Sequence, residues 1–170
     1  ELNQEKVGKT LKVLFDRVQP SLVLVQGDTT TVMATGLAAF YKHIPVGHVE
    51  AGLRSFNSSS PFPEEMNRSL ISKIASIHFS PTSISKENLL NENINESLVH
   101  ITGNTAIDSL SLILKKIDSS KRLSLKSGSY EINPKRNLVL ITGHRRENFG
   151  QGFLNICNAI KHLAEKFHNV

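Results

Sequence analysis

The apolar residues of this chain change period repeatedly, from short unbroken runs to helical spacing and back, and few architectures accommodate that pattern. Leu22-Val23-Leu24-Val25 is all apolar, lies between Pro20 and Gly27, and reads as a strand of a parallel sheet buried on both faces. Before it, Val7, Leu11, Leu14 and Val18 share one helical face, and Pro20 ends that helix. After it, the polar turn Gly27-Asp28-Thr29-Thr30 leads into a small-residue helix through Ala34, Leu37, Ala38 and Phe40. Val46 to Val49 is the next expected strand, followed by a loop rich in Ser, Asn and Pro from about Glu50 to Pro63. Glu64 and Glu65 then open a helix carrying Met66, Leu70, Ile71 and Ile74, with both acids at the positive end of its dipole. Ile77-His78-Phe79 is a strand, Pro81-Thr82 introduces a helix through Leu89 and Leu90, and Leu98 to Ile101 is a strand. Gly103-Asn104-Thr105 is a turn, and Ala106 to Ile117 a helix. Strand, turn, helix in that repeated order predicts an α/β fold, an open Rossmann-like parallel sheet with right-handed crossovers.

From Asp118 to Arg136 the apolar period fades into Ser, Lys, Gly128 and Pro134, which marks a linker. Leu138-Val139-Leu140-Ile141 follows as a further strand, then the charged turn Thr142 to Glu147 and an amphipathic helix from Phe153 to Phe167. The expected organisation is one incomplete domain over 1–117, a linker over 118–136, and the first strand-helix unit of a second domain over 137–170. The chain opens at Glu1 with neither Met nor the pattern of a signal peptide, and stops at Val170 straight after a helical pattern, so both ends read as cuts through a larger protein.

Composition removes several function classes. At 170 residues, 39% hydrophobic and 21% charged, the chain can bury a core, and no apolar run approaches a membrane span. The net charge of +5 is spread along the chain without a nucleic-acid motif, so neither nucleic acid nor membrane is expected as a partner. The single cysteine, Cys157, excludes a disulfide framework or a cysteine-rich zinc site and favours a reducing, cytoplasmic setting. Trp is absent and only two Tyr occur, which argues against aromatic stacking platforms. There is no GxGxxG or P-loop, so a classical NAD or ATP site is unsupported, and the seven histidines show no metal-ligand spacing.

Ligands of open α/β sheets bind beyond the carboxyl ends of the strands, and three such ends carry polar clusters here. Asp28, with Thr29 and Thr30, is either a helix cap or a carboxylate at a ligand crevice beside hydroxyls and free helix N–H groups. Glu50 is either one half of a surface ion pair with Arg54 or a proton-transfer group, with Gly52 permitting close backbone approach. Glu64 and Glu65 alone are ordinary first-turn acids, but Asp28, Glu50 and Glu64 at successive edges of one sheet suit proton removal and delivery at carbon. His144-Arg145-Arg146 before a helix is an anion site or a solvated charge run, and arginine suits phosphate.

Five segments together, Gly27-Asp28-Thr29-Thr30-Thr31, His48 to Arg54, Ser60 to Arg68, Gly103 to Asp108 and Thr142 to Asn148, resemble the non-hydrolysing UDP-N-acetylglucosamine 2-epimerases. The resemblance implies a two-domain fold of the glycosyltransferase-B type with the nucleotide sugar between two Rossmann-like domains, and a homodimer at full length. It implies interconversion of UDP-GlcNAc and UDP-ManNAc without metal or redox cofactor, by elimination of UDP to a 2-acetamidoglucal and its re-addition. Asp28, Glu50 and Glu64 match the family's catalytic carboxylates, and His144 its active-site histidine. The same matching puts Thr29, Thr30, Arg54, Glu65, Asn104 and Arg145 among substrate- or nucleotide-binding positions. The family's Gly-Thr-Arg-Pro-Glu turn and Asp-Ser-Gly-Gly segment do not occur in these 170 residues, so the chain alone is expected to be inactive, and the unpaired side of its sheet to favour self-association.

Overall fold

A computed structural model describes residues 4–119, 126–127, 130–131, 137, 139–143 and 148–167. The chain divides into two compact units, Glu1–Ile113 and Leu114–Val170.

The first unit is a parallel sheet of four strands in the order β1-β2-β3-β4: β1 (Val23–Gln26), β2 (Val46–Val49), β3 (Ile77–Ser80) and β4 (Val99–Ile101). Helix α1 (Gln4–Val18) precedes β1. Helices α2 (Thr30–Phe40), α3 (Glu64–Ile74) and α4 (Ser83–Asn91) connect successive strands, and α5 (Thr105–Ser119) follows β4. Each strand therefore lies beside the next one in sequence, with a helix in every crossover, as the period changes predict.

One face of the sheet carries the core. Phe15 of α1, Val32 and Ala39 of α2 and Ile71 of α3 pack with Val25 and Val46. A second cluster joins Leu89 of α4 to Val99 and Ala51. Each fully buried Val, Leu, Ile or Phe side chain among these contributes about 1.5–3 kcal/mol. Between the clusters the register runs Val25, His48, His78, Val99 straight across the four strands, so two buried histidines occupy the middle of an otherwise apolar row.

The other face corrects an expectation. β1 is an edge strand, and Leu24 is 62% exposed. The apolar run forms a strand but among the described residues is covered by helices on one face only. Leu98 likewise belongs not to a strand but to a short 3-10 turn, Glu96–Leu98, where the Asn95 side chain accepts from the Ser97 amide at 3.0 Å. The apolar residues Ile107, Leu110 and Ile113 of α5 are all exposed.

In the second unit, α6 (Gln151–Lys166) forms close to its expected position. The expected linker holds the end of α5 and a two-residue antiparallel pair, β5 (Lys126–Ser127) with β6 (Tyr130–Glu131). Val139 to Ile141 make no strand pairing among the described residues. An apolar run becomes a strand only when another strand satisfies its N–H and C=O groups, and none of the described strands does so here.

Candidate functional site

The carboxyl ends of β1 and β2 gather the first two predicted carboxylates. Beyond β1 the chain turns through Gly27 at φ +81°, a left-handed conformation that glycine adopts without strain. The next helix is capped by Thr29, whose Oγ1 accepts from the Val32 amide at 3.3 Å. Of the two readings of Asp28, the capping one fails: Thr29 caps, and the Asp28 carboxylate is left for another partner. That partner is Arg68 of α3, whose Nη2 donates to Asp28 Oδ2 at 2.6 Å.

The turn is gripped at two further points. Asn67 Nδ2 donates to the Asp28 carbonyl at 2.9 Å and lies 3.4 Å from Thr30 Oγ1. From β2, the buried His48 places Nε2 2.8 Å from the Gly27 carbonyl. A carbonyl only accepts, so Nε2 carries the proton and Nδ1 is the bare nitrogen. Burial holds His48 below the usual histidine range, and the Arg54 cation pushes in the same direction, against the Gly27 hydrogen bond and the Asp28 charge. His48 is therefore neutral at pH 7 and acts as a neutral tie between the strand and the turn.

Glu50 sits at the end of β2 with φ +70°, a conformation uncommon for a non-glycine residue. Its carboxylate lies against the β1 turn, with Oε2 3.6 Å from where a Cβ on Gly27 would stand. The alternative ion pair with Arg54 does not form. The Arg54 side chain is 1% exposed and clasps Glu92 in bidentate fashion, Nε to Oε1 at 2.6 Å and Nη2 to Oε2 at 3.0 Å, with Nη2 also donating to Ser72 Oγ at 3.0 Å. The Arg54 hydrogen bond holds the Glu92 carboxyl below the usual range, against the opposing effect of burial. Arg54 is thus committed to the scaffold.

Glu64 begins α3 and is half-buried; Arg68 stands four positions on, so both lie on one side of the helix. Neither Glu50 nor Glu64 has a hydrogen-bond or ion-pair partner among the described residues. Glu65 has a different task. Its carboxylate is buried and accepts from the Ser55 and Phe56 amides, both at 3.0 Å, which pins the loop after β2 to α3. Asn104 accepts from the Ala106 amide at 2.9 Å, an Asx turn at the start of α5, while Gln26 Nε2 donates to Thr105 Oγ1 at 3.0 Å. His144 and Arg145 lie outside the described residues.

The structure therefore brings Asp28, Thr29, Thr30 and Glu50 together at the ends of β1 and β2, and ties α3, which Glu64 begins, to the same turn. It turns Arg54 and Glu65 inward to hold the fold. Sequence reasoning missed Asn67 and Arg68 as ligands of the Asp28 turn. The available signal was their position one turn after Glu64, inside a segment already singled out. The described residues contain no group of His, Cys, Asp or Glu able to hold a metal ion.

With this geometry in place, comparison with known proteins is decisive. Residues 5–170 match the UDP-N-acetylglucosamine 2-epimerase family. The chain belongs to that family. The Escherichia coli K12 UDP-N-acetylglucosamine 2-epimerase is 49% identical over 167 residues, covering 97% of this chain and 44% of the relative. The Campylobacter jejuni UDP-N-acetylglucosamine 2-epimerase is 47% identical over 173 residues, covering 95% and 45%. Among solved structures, UDP-GlcNAc 2-epimerase from Neisseria meningitidis bound to UDP-GlcNAc superposes with a TM-score of 0.90 at 43% identity, over 98% of this chain and 45% of that one. The Methanocaldococcus jannaschii enzyme in complex with UDP-GlcNAc and UDP gives 0.66 at 42% identity, over 69% and 32%. The chain spans less than half the length of the Escherichia coli and Campylobacter jejuni relatives. No described helix is long and apolar enough to cross a membrane.

Proposed function

We propose that these residues are the carboxylate-bearing part of an enzyme that interconverts UDP-GlcNAc and UDP-ManNAc without hydrolysis. The C2 proton leaves to a carboxylate as the C1–O bond to UDP breaks, giving a 2-acetamidoglucal. UDP then re-forms the C1–O bond while a proton is delivered to C2 from the opposite face. A C2 proton with no adjacent carbonyl needs a base held in place and support for the departing diphosphate. Asp28, Glu50 and Glu64 are the candidates for the first, and His144 with Arg145 for the second. Thr29, Thr30 and Asn104 are candidates for binding sugar or nucleotide.

The observation that carries this reading is the turn after β1: His48, Asn67 and Arg68 hold the turn that bears Asp28, and the Glu50 carboxylate, unpaired among the described residues, lies against that turn. The substrate is proposed by analogy with the relatives bound to UDP-GlcNAc. Residues 118–136 are read as the linker and residues 137–170 as the opening of a second Rossmann-like domain that completes a homodimeric, cytoplasmic enzyme. On that reading the 170 residues alone do not turn over, because the rest of the nucleotide grip is needed to orient the substrate.

The test is a proton NMR time course of UDP-GlcNAc in D2O, with the full-length protein and with the 170-residue chain. Loss of the H2 signal and growth of UDP-ManNAc with the full-length protein alone is the expected result. Release of free ManNAc and UDP would replace it with a hydrolysing activity. No change with either protein would leave a non-catalytic relative. In the full-length protein Glu64→Gln should cut turnover at least about 100-fold while UDP still binds; near-normal turnover removes Glu64 from the site.

A further inference from the structure

We propose that Arg68 is the positioning residue for Asp28, and that Glu65 holds Arg68 in turn; the catalytic part of this inference rests on the epimerase reading above. Asp28 lies outside both β1 and α2, and its side chain is not used by the helix cap, so nothing on its own segment fixes the carboxylate. The fixing group comes from α3. Arg68 Nη2 meets Oδ2 at 2.6 Å, the length of a charge-assisted hydrogen bond, from a side chain only 14% exposed. On the other arm, Nη1 lies 3.5 Å from Glu65 Oε2. Glu65 cannot swing away without abandoning the Ser55 and Phe56 amides. Arg68 Nε is buried and has no partner, so among the described residues two carboxylates set the place of the guanidinium. Asn67, the preceding residue on the helix, holds the Asp28 carbonyl. Both ends of Asp28 are thus referred to one helix, and that helix is locked to the loop after β2. A carboxylate so held is a stationary proton acceptor or donor, and a displacement near 1 Å is worth up to about 100-fold in rate.

The test compares Arg68→Met, Arg68→Gln and Arg68→Lys in the full-length protein by kinetics and by crystal structure. The expected result is a fall in kcat of about 100-fold for Met with KM held within about threefold, since what is lost is orientation and not binding. Lys keeps a charge that reaches one carboxylate and should recover at least about tenfold of that loss. The Asp28 carboxylate should leave its place in the Met structure, and Gln supplies the same comparison if Met fails to fold. A kcat within about threefold of the parent, or an Asp28 carboxylate unmoved without the guanidinium, overturns the proposal. A parent that turns nothing over removes the epimerase reading, and the carboxylate's position in the variants still decides whether Arg68 holds it.

Discussion

Replacing His78 by leucine removes a titrating group from the middle of the sheet. The imidazole is 1% exposed, and neither ring nitrogen has a hydrogen-bond partner among the described residues. Burial, with the His48 ring and the Arg54 and Lys73 charges, pushes its pKa down from 6.5 to about 4. The unfolded chain therefore binds a proton that the folded chain refuses throughout this window, and stability rises with pH across it. Stability is lost as the pH falls below about 6.5, and the loss is complete near 4. At about 1.4 kcal/mol per pH unit of separation, the full loss is about 3 kcal/mol, and about 2 kcal/mol is already gone at pH 5. The assay is urea unfolding followed by far-UV circular dichroism, the chain having no Trp. Parent and His78→Leu should be similar at pH 7.5, because the ring makes no hydrogen bond that leucine would forfeit. Between pH 7.5 and 5 the parent should lose about 2 kcal/mol more than the variant. His48 and Glu92 titrate in both proteins and largely cancel in the difference. Parallel pH profiles for the two proteins would refute the reasoning.

Three further outcomes follow from particular contacts. Glu92→Gln leaves the buried Arg54 cation unpaired and should cost about 3 kcal/mol in urea unfolding at pH 7, a difference that shrinks on acidification as the parent's carboxylate takes up a proton. Thr29→Ala removes the cap of α2 and should cost about 1 kcal/mol, whereas Thr29→Ser should be close to neutral in the same assay. Gly52→Ala sets a Cβ 2.0 Å from the Ser85 carbonyl oxygen at a residue with φ +89°, so it should lower soluble yield and cost at least about 3 kcal/mol.

The fold was legible because its signals are local. Apolar runs bounded by Gly and Pro, and acids such as Glu64 and Glu65 in a first turn, place strands and helices with no knowledge of the rest. What a strand faces is not local, which is why Leu24 was expected inside and lies at an edge. The candidate site divides the same way. Asp28 and Glu50 announce themselves by standing after strands, whereas the choice between Asp28 and Thr29 as cap depends on Arg68, 40 residues away. Arg54 has an acid four residues before it, yet it pairs with Glu92 across 38 residues, a choice made where Ser72 of α3 and the end of α4 meet the guanidinium. The role of Glu65 was hidden for a related reason: its partners are the backbone amides of Ser55 and Phe56, and residue identity says nothing about where an amide points.

The row Val25, His48, His78, Val99 also bears on how the sheet comes apart. Apolar contact welds β1 and β2 to three helices, and separately welds β4 to α4. Between these blocks the sheet contributes imidazoles, which resist separation less than hydrocarbon does once water can reach them. Amide hydrogen exchange in the native state should accordingly resolve two cooperative blocks. The amides of β4 and α4 should exchange through a partial opening, and those of α2, β1 and β2 only when the whole unit unfolds. Mild acid should widen the gap between the two classes, since opening at the join lets His48 and His78 take up protons that the closed sheet refuses.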